Sequence, residues 1–198
     1  KKYRTHLIKS YLPGNRQVRQ WVVRACRELG LIVTTEGGSD AKMDITFAMD
    51  GFSGNEHSVP IVPLYKDIVQ LYAQSGISYT PTLLVSFGGP FAVDHFLSNE
   101  IGLKDEKLHR FMPSNLISQR VAQSNQVEPE QHIFPQVANG AKKILDAGGN
   151  VALGGHGEMQ GLQVHWEMWA LSAGGMDNLD VLRVATLESA KAIGLDSE

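Results

Sequence analysis

The 198-residue sequence has little cysteine, no long apolar run and no strong excess of charge. A single cysteine, Cys26, excludes an internal disulfide framework. It sits in "WVVRACREL", a helical pattern, and reads as a small apolar core residue. No apolar run approaches the roughly 20 residues needed to cross a bilayer as a helix. Net charge is −3, and no basic run is longer than Lys1-Lys2, so nucleic acid and other polyanions have no electrostatic footprint here. No G-x-G-x-x-G follows a first strand, and no G-x-x-x-x-G-K is present, which argues against a nucleotide site. No G-x-S-x-G is present, which argues against a serine nucleophile elbow. No secretory leader is visible. The opening "KKYRTHLIKSY" reads as the interior of something longer, so compartment stays open, export included.

What is present is an ordinary globular composition, 42% hydrophobic and 20% charged, with a repeating strand–helix pattern. The spacing predicts strands at 5–11, 31–38, 54–59, 77–89 and 150–155. The run "ISYTPTLLVSFGG" is the clearest of them, being rich in β-branched residues. Helical patterns lie between: 15–30, where Val18, Trp21, Val22, Ala25, Cys26 and Leu29 share one face, then one capped by Asp40, 63–76 and 134–149. Two more helices close the chain. Residues 88–133, with Pro90, Pro113 and Pro129, read as a loop or lid with short helices. Strict alternation predicts an α/β fold with a parallel sheet, either doubly wound or a barrel.

In a (β/α) barrel the active site lies at the carboxyl ends of the strands. The predicted strand ends carry Lys9, Glu36, His57 and His156. Singly, each has an ordinary use: a solvated lysine, a turn-capping glutamate, a buried histidine, a histidine in a glycine turn. Together they form a donor set of carboxylate and imidazole suited to zinc, manganese or iron. His6, His95, His109 and His132 lie in the opening strand or the variable segment and are given no direct role. Tyr65, Tyr72, Tyr79, Trp166 and Trp169 read as packing residues. Tyr11 and His165 are the candidates for substrate contact.

These residues carry a resemblance. "GNEHSVP" resembles the "IEH" strand of the amidohydrolase superfamily of metal-dependent hydrolases, and "SYTPTLLVSFGG" resembles the strand that follows. "NVALGGHG" stands where that family has a strand ending in Gly-Thr-Asp. "HWEMWALSAGGMDNLDVLRVATLESAKAIGL" resembles its closing segment and is the most specific part. The nearest branch is that of the prolidases and imidazolonepropionases. The resemblance implies strands four to eight of a (β/α)8 barrel over 1–198, with a lid at about 88–133. It implies hydrolysis of C–N bonds in amides, cyclic amides or peptides by metal-activated water. The cofactor would be a divalent metal, zinc foremost, as one or two ions.

The family's strand-four lysine, often carboxylated, falls on Lys9, and its strand-six histidine on His57. The strand-five histidine is replaced by Glu36. The strand-eight aspartate, ligand and general base, is replaced by His156, which becomes the catalytic candidate. Those two departures also suit an alternative reading, a barrel kept as a binding or scaffold module. Strands one to three lie outside the sequence. The open edges are therefore expected to be covered by a second copy or by the first barrel half.

Overall fold

The computed structural model describes residues 5–38, 40–85, 89–99, 106–124, 127–157 and 159–196. Among the described residues, five strands form one sheet: β1 (Leu7–Ser10), β2 (Ile32–Glu36), β3 (Gly54–Glu56), β4 (Ser78–Thr80) and β5 (Asn150–Val151). Every pairing is parallel, and the order β1-β2-β3-β4-β5 follows the chain. A doubly wound sheet reverses its order at a switch point; this one does not.

The first helices start and stop where the sequence places them. In α1 (Arg16–Glu28) the Asn15 side chain caps the amino end, accepting from the Val18 N–H at 3.1 Å. In α2 (Ala41–Asp50) Asp40 does the same for the Met43 N–H at 2.7 Å. Next comes α3 (Lys66–Ser75). The 88–133 segment folds into α4 (Ala92–Asn99), α5 (Glu106–Phe111) and α6 (Ser114–Gln123), matching the expected short helices. Positions 100–105 and 125–126 of that stretch lie outside the described residues. Then follow α7 (Phe134–Asp146), α8 (Leu162–Ala173), α9 (Asn178–Arg183) and α10 (Ser189–Ala192), the last two joined by a π turn. Helices α1, α2, α3, α7 and α8 pack side by side in that order and form an outer layer.

Two expected strands are far shorter than their apolar runs. The 77–89 strand ends at Thr80, and Leu83–Val85 is a 3-10 turn. Pro81 has no N–H to give the ladder, and Thr82 takes a left-handed backbone, φ 48°. Positions 86–88 lie outside the described residues. The 150–155 strand pairs only at Asn150 and Val151. Beyond it, Leu153 N–H donates to Ser189 Oγ (2.9 Å) instead of to a strand. Likewise β3 stops at Glu56 because His57 is left-handed, φ 72°.

In parallel register, partners face the same side. Lys9 pairs with Thr34, Thr34 with Gly54, Glu36 with Glu56, Glu56 with Thr80 and Gly54 with Ser78. Apart from the Leu7–Ile32 pair at the entry of β1 and β2, this face is lined by polar and small residues. The alternate residues Val33, Thr35, Asn55, Tyr79 and Val151 are buried, with Val33, Tyr79 and Val151 in the apolar core. Tyr72 and Tyr79 meet edge to face at 5.3 Å, and Asn55 Nδ2 donates to Tyr72 Oη (2.9 Å). Cys26 is buried, as its helical position implies.

A flat sheet would hold β1 and β5 roughly 19 Å apart at the usual strand spacing. Yet Lys9 on β1 and His156 beyond β5 line one cleft of about 390 Å³. The sheet is therefore curled, polar face inward. At the other end of the strands the chain terminus returns to β1, with His6 Nε2 3.2 Å from the Ile193 carbonyl oxygen.

Phe47 anchors the outer layer. It is fully buried, 5.4 Å from the Phe52 ring and 4.9 Å beneath the Arg19 guanidinium. Phe47→Ala should lower the unfolding free energy by about 3–5 kcal/mol, read by urea denaturation. A loss near zero would show that α2 does not seal the core.

Candidate functional site at the strand ends

The curled sheet brings the exits of all five strands to one rim. The cleft there is lined by Lys9, Glu36, Glu56, His57, Thr80 and Thr82 together with the Leu153–His156 loop. All four sequence candidates for the metal set therefore meet.

Glu36 is the hub. Its Oε2 lies 2.7 Å from Lys9 Nζ, and its Oε1 lies 2.8 Å from His57 Nε2. The arrangement follows from register: Glu36 continues β2 two residues past the partner of Lys9, on the same face. His57 reaches Glu36 because its left-handed backbone turns the chain at the end of β3. Burial lowers the His57 pKa. Glu36 opposes this, while His156 and Lys9 add to it, and the net shift is downward. His57 is thus held toward its neutral form. His156 stands beside it, ring centroids 5.5 Å apart.

The Gly-Gly-His-Gly turn has a steric origin. A Cβ on Gly154 would lie 2.7 Å from Thr82 Oγ1 and 2.9 Å from Thr80 Cγ2. Only glycine lets the β5 exit press against the β4 exit. Gly37, after Glu36, is constrained in the same way: a Cβ there would meet Asn55 Oδ1 at 2.4 Å and Asp44 Oδ1 at 2.9 Å. Asp44 holds this turn, accepting from the Gly38 N–H (2.9 Å). Burial, reinforced by nearby Asp40 and opposed by that N–H, pushes the Asp44 carboxyl up to about 7.

Sequence reasoning passed over Glu56, Thr80 and Thr82. Glu56 pairs in register with Glu36 and accepts a hydrogen bond from Thr34 Oγ1. Its signal was its place beside His57 in "NEHSV", but a three-residue strand shows no alternation to read. Two carboxylates thus face this cleft with one ammonium, Lys9. Among the described residues, no three His, Cys, Asp or Glu side chains stand close enough together to hold a metal ion.

The substrate candidates lie apart from this cluster. Tyr11 has an exposed ring, and its carbonyl accepts the Glu36 N–H at 3.2 Å. His165 lines a second, apolar cleft of about 380 Å³ with Leu108, Phe111, Met112 and Leu162. His95 and His132 join an aromatic cluster with Phe96 and Phe134. Tyr72, Tyr79 and Trp166 are fully buried, as packing residues should be, whereas Tyr65 and Trp169 are exposed.

No family model matches the chain, and no curated protein sequence matches it. Solved structures do. An uncharacterized protein aligns over 100% of this chain and 45% of its own, with a TM-score of 0.61 and 14% identity. The A. niger ochratoxinase aligns over 95% and 39%, with a TM-score of 0.59 and 17% identity. A prolidase complexed with N-methylphosphonate-L-proline aligns over 93% and 38%, with a TM-score of 0.57 and 15% identity. The chain therefore spans less than half the length of these structures. At such identities the likeness is one of fold, and at that level it bears out the amidohydrolase resemblance read from the sequence.

Two outcomes test this geometry. Gly37→Ala should displace the Glu36 turn and lower the melting temperature by several degrees; an unchanged melting curve would mean the turn is loose. Asp44 has a folded-state pKa above its ordinary 3.8, so the stability linked to its protonation is full below that value and lost as pH rises to about 7. Asp44→Asn removes this dependence. The difference in melting temperature, variant minus wild type, should therefore grow in the variant's favour between pH 4 and 7. A constant difference would show that Asp44 is ionised throughout.

Proposed function

We propose that the chain supplies strands four to eight of a (β/α)8 barrel and one side of the active site of a hydrolase that cleaves amide C–N bonds. The observation that carries this reading is the meeting of Lys9, Glu36, His57 and His156, from four strand exits, at one cleft. The unbroken parallel order, the curl and the outer helix layer support a barrel. The fold shared with a prolidase and an ochratoxinase supports the hydrolase class.

The cleft residues offer the donor types that a divalent cation uses, although among the described residues no three of them are gathered closely enough to hold one, so binding would require them to draw together and Lys9 to give up its pairing with Glu36. Glu36 and Glu56 lie side by side against one ammonium, and two imidazoles add nitrogen donors. We assign the cation to Lys9, Glu36, His57 and His156, with zinc as the metal, one or two ions, and Lys9 carboxylated on Nζ. A cation bound there would supply an activated water and polarise the substrate carbonyl.

The chain's own residues set the rest. Glu36 fixes the orientation of the His57 ring through Nε2. His156, on an exposed turn of the cleft, serves either as a donor to the cation or as the proton acceptor, because a neutral imidazole has one lone pair and cannot do both at once. Tyr11 and His165, which do not line this cleft, would contact the parts of an amide or short-peptide substrate that extend beyond it, and the described helices α4, α5 and α6 would form the lid. The first half of the barrel, or a second copy, covers the open strand edges.

A second reading has one observation in its favour. The Lys9 ammonium, 2.7 Å from Glu36, already serves as a cation within the cluster. That suits a binding or scaffold module that keeps the fold without turnover.

Elemental analysis of the intact protein beside His57→Ala and His156→Ala tests the assignment. Zinc near stoichiometry in wild type, reduced in both variants, is expected, with hydrolysis of prolyl dipeptides or N-acyl amino acids that falls at least 100-fold in both. No retained metal after loading and desalting would overturn the metal-dependent reading. Metal without hydrolysis would select the binding module.

A further inference from the structure

Two side chains on one face of α8 reach into the two loops that bring His156 and Thr82 to the cleft. Gln163 and Glu167 are four residues apart, hence stacked along the helix, and both are buried, 2% and 0% exposed. Gln163 Oε1 accepts the N–H of Gly157, the residue after His156, at 2.5 Å. Glu167 Oε1 accepts the N–H of Leu83 at 2.7 Å, and its Oε2 accepts that of Leu84 at 3.2 Å. Those two N–H groups open the 3-10 turn directly after Thr82. The same two loops touch each other at Gly154 and Thr82.

A helix that only filled space would carry apolar residues at both positions. A fully buried carboxyl is costly. Burial pushes the Glu167 pKa up to about 8, against the pull of its two N–H partners. Such a group is kept where its acceptor atoms have a task.

We propose that Gln163 and Glu167 are positioning residues: α8 sets the place of His156 through Gly157, and the place of Thr82 through Leu83 and Leu84. The catalytic consequence rests on the hydrolase reading above, whereas the positioning itself does not.

The test uses Gln163→Met and Glu167→Met, which keep volume and remove the acceptors, with Glu167→Gln, which keeps one. In the intact protein the His156 ring and Thr82 methyl signals are followed by NMR at one pH. Gln163→Met should shift the His156 signal and leave Thr82 in place. Glu167→Met should do the reverse, and Glu167→Gln should return Thr82 part of the way. If Glu167→Met does not fold, an intermediate Thr82 shift in Glu167→Gln with His156 unmoved carries that arm. For the amide substrate, kcat should fall about tenfold to 100-fold in each Met variant with KM little changed. Both signals moving together in both variants, or neither moving, would overturn the proposal. If wild type hydrolyses nothing, the hydrolase reading fails and the two NMR signals alone decide the positioning.

Discussion

Parallel strands joined in unbroken chain order send every right-handed crossover to the same side of the sheet. One face is then sealed by helices and the other is left to curl upon itself. That constraint governs this protein. The helix-facing residues Val33, Tyr79 and Val151 belong to the apolar core. The opposite face, with Lys9, Thr34, Glu36, Glu56 and Thr80, turns inward, where its strand ends converge. The polar cluster follows from topology: the curl brings together groups that a flat sheet would hold far apart.

Within that cluster the shared carboxylate of Glu36 sets the electrostatics. It binds an ammonium through one oxygen and an imidazole through the other. Glu56 adds a second carboxylate on the neighbouring strand. An arrangement with more acceptor charge than internal cation is suited to holding another positive group. Burial keeps the imidazole of His57 toward neutrality, the form in which it can offer a lone pair. The same local logic recurs one layer out, where Asp44 holds the turn after Glu36 and Glu167 holds the turn after Thr82.

The strand exits depend on departures from regular backbone. His57 and Thr82 are left-handed, and both line the cleft. Pro81, Gly37 and Gly154 end or crowd the ladders at the same level. Short strands are thus part of how the rim is built: each ladder stops early so that its next residue can turn inward.

The helices were legible because caps and periodicity are local. Asp40, read from the sequence as a cap, accepts the Met43 N–H, and the structure adds Asn15 and Asp177 in the same role. The candidate set Lys9, Glu36, His57 and His156 was legible because each residue follows an apolar run and precedes a turn. The strand lengths were not, because "PTLLV" satisfies a strand by composition while Thr82 and the distant Glu167 withdraw it from the sheet. Glu56 was missed because its face is set by register with Glu36, a relation between strands. By itself, then, the sequence determined the alternation of strand and helix, the parallel sheet and the polar residues at the strand ends. Tertiary structure alone decided which of those residues meet, because the curl of the sheet brings Lys9 and His156 to one cleft and α8 grips a loop 84 residues away in the chain.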